Sequence, residues 1–233
     1  MRLLPSVFAA ALVLVPLGAR AQTTPVVLEL YTSQGCSSCP PADALLTQLA
    51  GLDGVIALAL HVDYWDYLGW KDAFGKPQHT ARQRAYAKAA RSRTIFTPEM
   101  VVQGEERLKG HDSARILDEI ERQRALPAQA EISLEREGDD LEVHIEPTAA
   151  TEPGSSEVYL VRYIPSEPVQ IDAGENAGKA VTYTNIVTDW ETIGQWDGGG
   201  PADFRHELSG EGPLAVIVQR SHMGPVVTAA EMR

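Results

Sequence analysis

Both cysteines of this 233-residue chain sit in one short stretch, Cys36-Ser37-Ser38-Cys39. It is preceded by the apolar run Val26-Val27-Leu28-Glu29-Leu30-Tyr31 and followed by the helical pattern Ala42-Asp43-Ala44-Leu45-Leu46-Thr47-Gln48-Leu49. Strand, dithiol, helix is the order a redox site needs. Sulfurs three residues apart at a helix start can close a small ring, and the helical N–H groups there, with the positive end of the macrodipole, favour a thiolate on the outer sulfur. Cys36 is therefore the candidate nucleophile and Cys39 the resolving thiol. Two other readings stay open: half of a zinc site, although there is no second cysteine pair and the histidines lack ligand spacing, and an inert local disulfide.

The first residues read as a targeting segment, with Arg2 at the start, an apolar stretch from Leu3 to Gly18, and Ala19-Arg20-Ala21 fitting a small-x-small cleavage site. The expectation is a signal peptide over 1–21, a mature chain from about Gln22, and a periplasmic or secreted location. An uncleaved anchor is the alternative, but the run is short and carries Pro5 and Pro16. No stable membrane span is expected after cleavage. Export would place the cysteines where a pair persists as a disulfide. The net charge of −12 argues against nucleic-acid binding and for solubility.

After the first helix, Val55-Ile56-Ala57-Leu58-Ala59-Leu60 has the continuous apolar character of a strand buried on both faces. A right-handed βαβ unit brings the following His61-Val62-Asp63-Tyr64 to the same sheet edge as Cys36. The aromatic segment Tyr64, Trp65, Tyr67, Trp70 and Phe74 either forms a lip beside the dithiol or packs an insertion onto the domain. Thr80-Ala81-Arg82-Gln83 reads as a capping box opening a helix to about Arg93, with Arg84, Lys88 and Arg91 as a basic stripe. Thr97-Pro98 leads into the strand Glu99-Met100-Val101-Val102. Gln103-Gly104-Glu105 turns into a partner strand, and Asp112 or Ser113 caps a final helix.

This order of elements, with Cys-x-x-Cys opening the first helix and a proline before the third strand, resembles the thioredoxin-like fold. More closely, Glu29 to Asp43, His61 to Asp66 and Thr97 to Val102 resemble a secreted thioredoxin-like family of unknown function, the domain family numbered twelve twenty-three. The resemblance implies an α/β fold with a thioredoxin-like N-terminal domain over 22–126, containing a helical insertion at 63–96, and implies that Pro98 is cis and lies against the dithiol. Thr97 would then present backbone groups to an incoming chain. Unlike ordinary thioredoxins, this chain places Ser37 and Ser38 between the cysteines, and Pro40 and Pro41 directly after them.

Beyond Leu126 the runs become short and alternating. Glu131 to Leu134 and Leu141 to Ile145 flank Gly138-Asp139-Asp140, a hairpin signal, and further strands are expected at 157–164, 180–188, 214–219 and 226–230. The expectation is a β-rich domain over 127–233, an antiparallel β-sandwich packed against the first. His144, His206 and His222 are read as surface or packing residues. The functional expectation is an exported thiol–disulfide oxidoreductase-like protein acting on a protein thiol or disulfide partner, with no cofactor. The alternative is a non-catalytic scaffold holding a peptide or a soft ion such as Cu(I) through Cys36, Cys39 and His61.

Overall fold

Strand β1 (Val26–Thr32) is buried along its whole length, and its two faces meet different neighbours. Val26, Leu28 and Leu30 face a cluster with Leu46 and Leu49 of helix α1 (Pro40–Leu49) and Ile116 and Ile120 of α3 (Ser113–Arg124). Val27 and Tyr31 face the opposite layer, where Tyr86 of α2 (Pro77–Ala89) lies. The computed structural model describes residues 24–233, so the signal peptide expected at 1–21 lies outside the described residues.

The first half runs β1, α1, β2 (Val55–His61), a 3-10 turn (Asp66–Leu68), α2, β3 (Glu99–Val102), β4 (Glu106–Lys109) and α3. β1 and β2 are parallel, in register from Val26 opposite Val55 to Thr32 opposite His61. β3 lies antiparallel on the other side of β1, with β4 outside it. Asp112 is the N-cap of α3, accepting from the Arg115 N–H at 3.4 Å. Helix α2 differs from its expected start. Pro77 occupies its first turn, where a missing N–H costs no helical bond. The Thr80 hydroxyl, expected to cap, instead donates to Asp63 Oδ1 at 2.6 Å. The helix ends at Ala89, and Arg91 adopts φ 54° beyond it.

The second half contributes β5 (Ala130–Glu137), β6 (Asp140–Pro147), β7 (Ser156–Gln170), β8 (Ala180–Trp196), β9 (Ala202–Glu207), β10 (Leu214–Arg220) and β11 (Val226–Met232). Its strands are antiparallel among themselves, as expected, but the sandwich does not stand apart from the first half. One eight-stranded sheet runs β11-β10-β7-β8-β2-β1-β3-β4, and only β5-β6-β9 form a second sheet. The junction is parallel, with Ala59 opposite Ile186, and Asn185 Nδ2 donates to the Ala57 carbonyl at 2.8 Å. The physical reason lies in β2. A strand apolar on both faces leaves an edge open to association unless another strand covers it, and β8 covers it. The small sheet packs Leu141, Val143 and Ile145 against Leu160, Val216 and Val218 of the large one. Strand β9 was not among the expected strands; it pairs with β6, and its Ala202 and Phe204, alternating with Asp203 and Arg205, pack inward. Its Phe204 ring lies over Gly194, where an added Cβ would come within 2.2 Å of the ring.

Across the α2 face a buried ion pair ties the halves together. Arg82 donates to both Glu29 oxygens at 2.7 Å and to Gln219 Oε1 of β10 at 2.8 Å. Its guanidinium lies 3.8 Å from the Trp190 ring centroid on β8. Glu29 is 1% exposed, so removing the arginine strands a buried carboxylate. Arg82→Met should cost roughly 3–5 kcal/mol in urea unfolding, and Glu29→Gln in the same chain should recover part of that loss.

Candidate functional site

The loop from Ser33 to Ser38 carries the chain from the end of β1 into α1. Its turn is closed by the Cys36 N–H to the Ser33 carbonyl at 3.1 Å and by the Gly35 N–H to Ser33 Oγ at 3.1 Å. Cys39 is the N-cap of α1, its carbonyl accepting from the Ala42 and Asp43 N–H groups at 2.8 and 3.1 Å. Pro40 and Pro41 follow in the first turn, so the regular helix starts after Cys36 and the missing donors are ones a first turn leaves free. Cys36 and Cys39 form a disulfide with a Cα–Cα separation of 5.4 Å. Cys36 is 2% exposed and Cys39 0%, so the sulfur read as the outer one is nearly as covered as its partner.

The other two expected site residues lie beside this loop. The Thr97–Pro98 bond is cis. Ser38 Oγ lies 3.5 Å from both Cys36 Sγ and the Thr97 carbonyl, at the outer limit of a hydrogen bond. Trp65 Nε1 donates to Thr97 Oγ1 at 2.7 Å. A Cβ on Gly110 would meet Pro98 Cβ at 2.8 Å and Ala42 Cβ at 3.1 Å, so the close approach of Pro98 and the first turn of α1 requires glycine there. The residue after the proline, Glu99, is buried and held by Gln83 Nε2 at 2.6 Å and Arg107 at 2.5 Å. Burial raises its pKa despite these partners.

Behind the dithiol loop is a polar layer that the sequence did not disclose. Asn176, 1% exposed and in the second half of the chain, donates through Nδ2 to the Gln34 carbonyl at 2.8 Å and the Cys36 carbonyl at 2.9 Å. Lys179 Nζ fixes the amide by donating to Asn176 Oδ1 at 2.7 Å. Trp70 Nε1 donates to Gln34 Oε1, and the Gln34 N–H donates to Asp72 Oδ2, both at 2.7 Å. The same Asp72 oxygen is 2.8 Å from His61 Nδ1, and both side chains are fully buried. Burial is the largest influence on Asp72 and opposes its ionisation. His61 and the Gln34 and Phe74 amides outweigh burial and hold the carboxyl below its ordinary range.

Asp43 behaves oppositely. It lies one helical turn after Cys39 and accepts from Thr32 Oγ1 at 2.7 Å through Oδ1, while Oδ2 has no partner. Burial pushes its pKa up to about 7, and the nearby Asp72 charge adds to the rise. His61 Nε2 likewise has no partner, and the Tyr183 ring stands edge-on 4.7 Å from the imidazole.

Of the aromatic segment, Tyr64 and Trp65 pack against the core and Trp65 and Trp70 are hydrogen-bonded at the site, whereas Tyr67 is 77% exposed. Both readings of that segment thus find residues. Among the described residues no group of three His, Cys, Asp or Glu side chains is arranged to hold a metal ion. His144 pairs with Asp203 and Glu146 on the surface, and His206 with Glu191. Asp43 ended the motif quoted above, but nothing in its spacing marked it as buried. Asn176 lies in a loop with no motif, and Asp72 among alternating polar and aromatic residues.

Residues 27–219 match the family model described as "Protein of unknown function (DUF1223)", and the chain belongs to that family. Protein AGR_C_4864 from Agrobacterium tumefaciens, a solved structure, is 29% identical with a TM-score of 0.78, covering 91% of this chain and 95% of that one. HBP35 of Porphyromonas gingivalis shares the fold at 16% identity and a TM-score of 0.65, over 90% of this chain and 75% of that one. No curated protein matches the sequence.

Asn176→Ala leaves two buried carbonyls of the dithiol loop without their donor and should lower stability by about 2 kcal/mol in urea unfolding of the oxidised protein. The Asp43 carboxyl ionises at about 3.9 in an unfolded chain, and at about 7 in the folded one. The folded state therefore holds the extra proton between those values, and stability from this group is lost as pH rises through 7. His79, which burial lowers to about 4, works the other way, gaining stability as pH rises toward its ordinary value. His79 is common to both proteins, so the difference isolates Asp43. Asp43→Asn should gain on the wild type between pH 5 and pH 8, by roughly 2–4 kcal/mol, read from thermal or urea unfolding at each pH.

Proposed function

We propose that this member of the DUF1223 family is an exported thiol–disulfide exchange protein with a thioredoxin-like N-terminal region. The observation that carries the reading is the Cys36–Cys39 disulfide at the start of α1, with cis Thr97–Pro98 alongside. The sheet order β2-β1-β3-β4 supports the thioredoxin-like part, with β1 and β2 parallel, β3 and β4 antiparallel, and α1 and α3 on one face. Export is carried by the sequence of residues 1–21 and by a cysteine pair suited to an oxidising compartment. No helix among the described residues is long and apolar enough to cross a membrane.

In the exchange step a partner thiolate attacks Cys36 Sγ, forming a mixed disulfide and breaking the Cys36–Cys39 bond. Cys39 leaves as a thiolate and takes up a proton. A second partner thiol then displaces Cys36, so the partner loses two electrons and the protein's dithiol gains them. The reverse sequence oxidises the protein. Thr97 and Pro98 form the wall against which the partner chain would lie, with the Thr97 carbonyl facing Ser38. Asp43, neutral below about pH 7, adds no negative charge one turn from the departing Cys39 thiolate.

A second reading has an observation of its own: 2% and 0% exposure of the two sulfurs suits an inert disulfide on a binding scaffold. A redox titration separates them. The exchange reading expects a midpoint above about −300 mV, and a lower value supports the inert disulfide. In reduced protein, brief alkylation should label Cys36 ahead of Cys39. Cys39→Ser, its Cys36 thiolate attacking a disulfide-bonded peptide and releasing the peptide's other sulfur as a thiol, should accumulate the mixed disulfide, while Cys36→Ser should not. Preferential labelling of Cys39 would reverse the assigned roles.

A further inference from the structure

A concave cationic patch lies on α2 and the segment that leads to Thr97, on a chain whose net charge is −12. Between Asp72 and Glu99 there is no acidic residue, although six of the chain's 20 lysines and arginines fall there: Lys76, Arg82, Arg84, Lys88, Arg91 and Arg93. Two of these are spent internally. Arg82 is paired with Glu29, and Lys76 Nζ donates to the Thr188 carbonyl. The other four, Arg84, Lys88, Arg91 and Arg93, are exposed and line a single hollow with Ala87 and Ile95. None makes an ion pair among the described residues, whereas exposed Arg122, Arg205 and Arg233 elsewhere hold carboxylates at 2.6, 2.6 and 2.9 Å.

The macrodipole favours Lys88 in the last turn of α2, but it gives no reason for Arg84 in mid-helix or for Arg93 beyond its end. Arg84 and Lys88 are four apart, a spacing at which like charges repel by a few tenths of a kcal/mol, roughly 0.2–0.5. The patch is also anchored to the site. Gln83 Nε2 donates to the Phe96 carbonyl at 2.7 Å, and Thr97 comes four positions after Arg93, at most about 14 Å of chain. Thr97 in turn faces Ser38 and, through it, Cys36.

We propose that this patch docks an acidic segment of the protein that exchanges disulfides at Cys36, the acidic residues lying a few positions from the reacting cysteine. The inference rests on the exchange reading above and adds the chemical class of partner. The four cations lower the cost of bringing an acidic chain to an acidic protein and hold it in the orientation that lays its cysteine along Thr97. Opposite charge at the docking site chiefly accelerates encounter, and salt suppresses that gain.

Three peptides test it, each with one cysteine followed after four residues by four glutamates, four glutamines or four lysines. The readout is the second-order rate at which each opens the Cys36–Cys39 disulfide of the full protein, at low and at high salt. The glutamate peptide should react about ten-fold faster than the glutamine peptide at low salt, and the advantage should vanish at high salt. It should also vanish in the combined variant Arg84→Gln, Lys88→Gln, Arg91→Gln, Arg93→Gln, and reverse when the four are changed to Glu.

A glutamine or lysine peptide faster than the glutamate peptide, or a glutamate advantage untouched by the Gln variant, overturns the docking surface and leaves the exchange reading standing. If no peptide opens the wild-type disulfide, the exchange reading fails and the docking surface with it. Inorganic phosphate that inhibits beyond chloride at equal ionic strength would make the hollow a small-anion pocket and also overturn the proposal.

Discussion

Strand β2 must be buried on both faces and on its free edge, and the second half of the chain is arranged around that need. Its seven residues are all buried, so no polar face is available to meet water. A parallel pair with β1 satisfies one edge only. The long β8 takes the other, with the Asn185 amide supplying a bond to Ala57 where the strands diverge from regular pairing. Once β8 is committed, β7, β10 and β11 extend the sheet behind it, and the small sheet β5-β6-β9 covers their remaining apolar face. What reads in the sequence as two successive units is one continuous sheet with different layers at its two ends.

That continuity bears on the dithiol. The loop leading from β7 into β8 puts Asn176 under the backbone of Gln34 and Cys36, so the geometry of a loop in the first half is set by an amide from the second. The Asp72–His61 pair continues the same polar layer toward β2, and Arg82 links β1, β10 and β8 on the α2 face. Buried polar groups of this kind are costly unless paired, and nearly all of these are paired. Three unpartnered atoms, Gln34 Nε2, Asp43 Oδ2 and His61 Nε2, lie in the layer around the dithiol loop, and others, among them Tyr64 Oη and Trp190 Nε1, lie on the α2 side.

The elements of the first half were legible because each is written locally. Continuous apolar runs gave β1 and β2, the helical pattern Ala42 to Leu49 gave α1, and Asp112, one of the two cap candidates, starts α3. The capping box at Thr80 misled because Pro77 offered an earlier first turn and Asp63 a competing partner for the hydroxyl. In the second half the strands were visible as alternation, but β7 and β8 run on to Gln170 and Trp196, paired with each other and, at Trp190, Glu191 and Trp196 of β8, held by groups remote in sequence. β9 carries only a short alternation, Ala202 and Phe204 between charged residues after the Gly/Pro loop, and its stabilising contacts, to β6 and over Gly194, are remote in sequence. At the site the same division holds. Cys36, Cys39, Thr97 and Pro98 lie in recognisable motifs, whereas Asn176 and Asp72 act by position alone, and position is a property of the shared sheet.

The burial of both sulfurs follows from this arrangement too. A loop pinned from below by Asn176, from the side by Trp65 through Thr97, and at its root by the Asp72 carboxylate has little freedom to present Cys36 outward. Any partner that reaches Cys36 must displace groups at the rim, and Ser38, exposed and only loosely bonded at 3.5 Å to both Cys36 and Thr97, is the group least held there. Access is then governed by how firmly an incoming chain is held while the rim opens. On the exchange reading proposed above, a surface that grips the partner at a distance from the sulfur would supply that hold without loosening the pinned loop, with recognition on α2 and the segment after it and exchange at the start of α1.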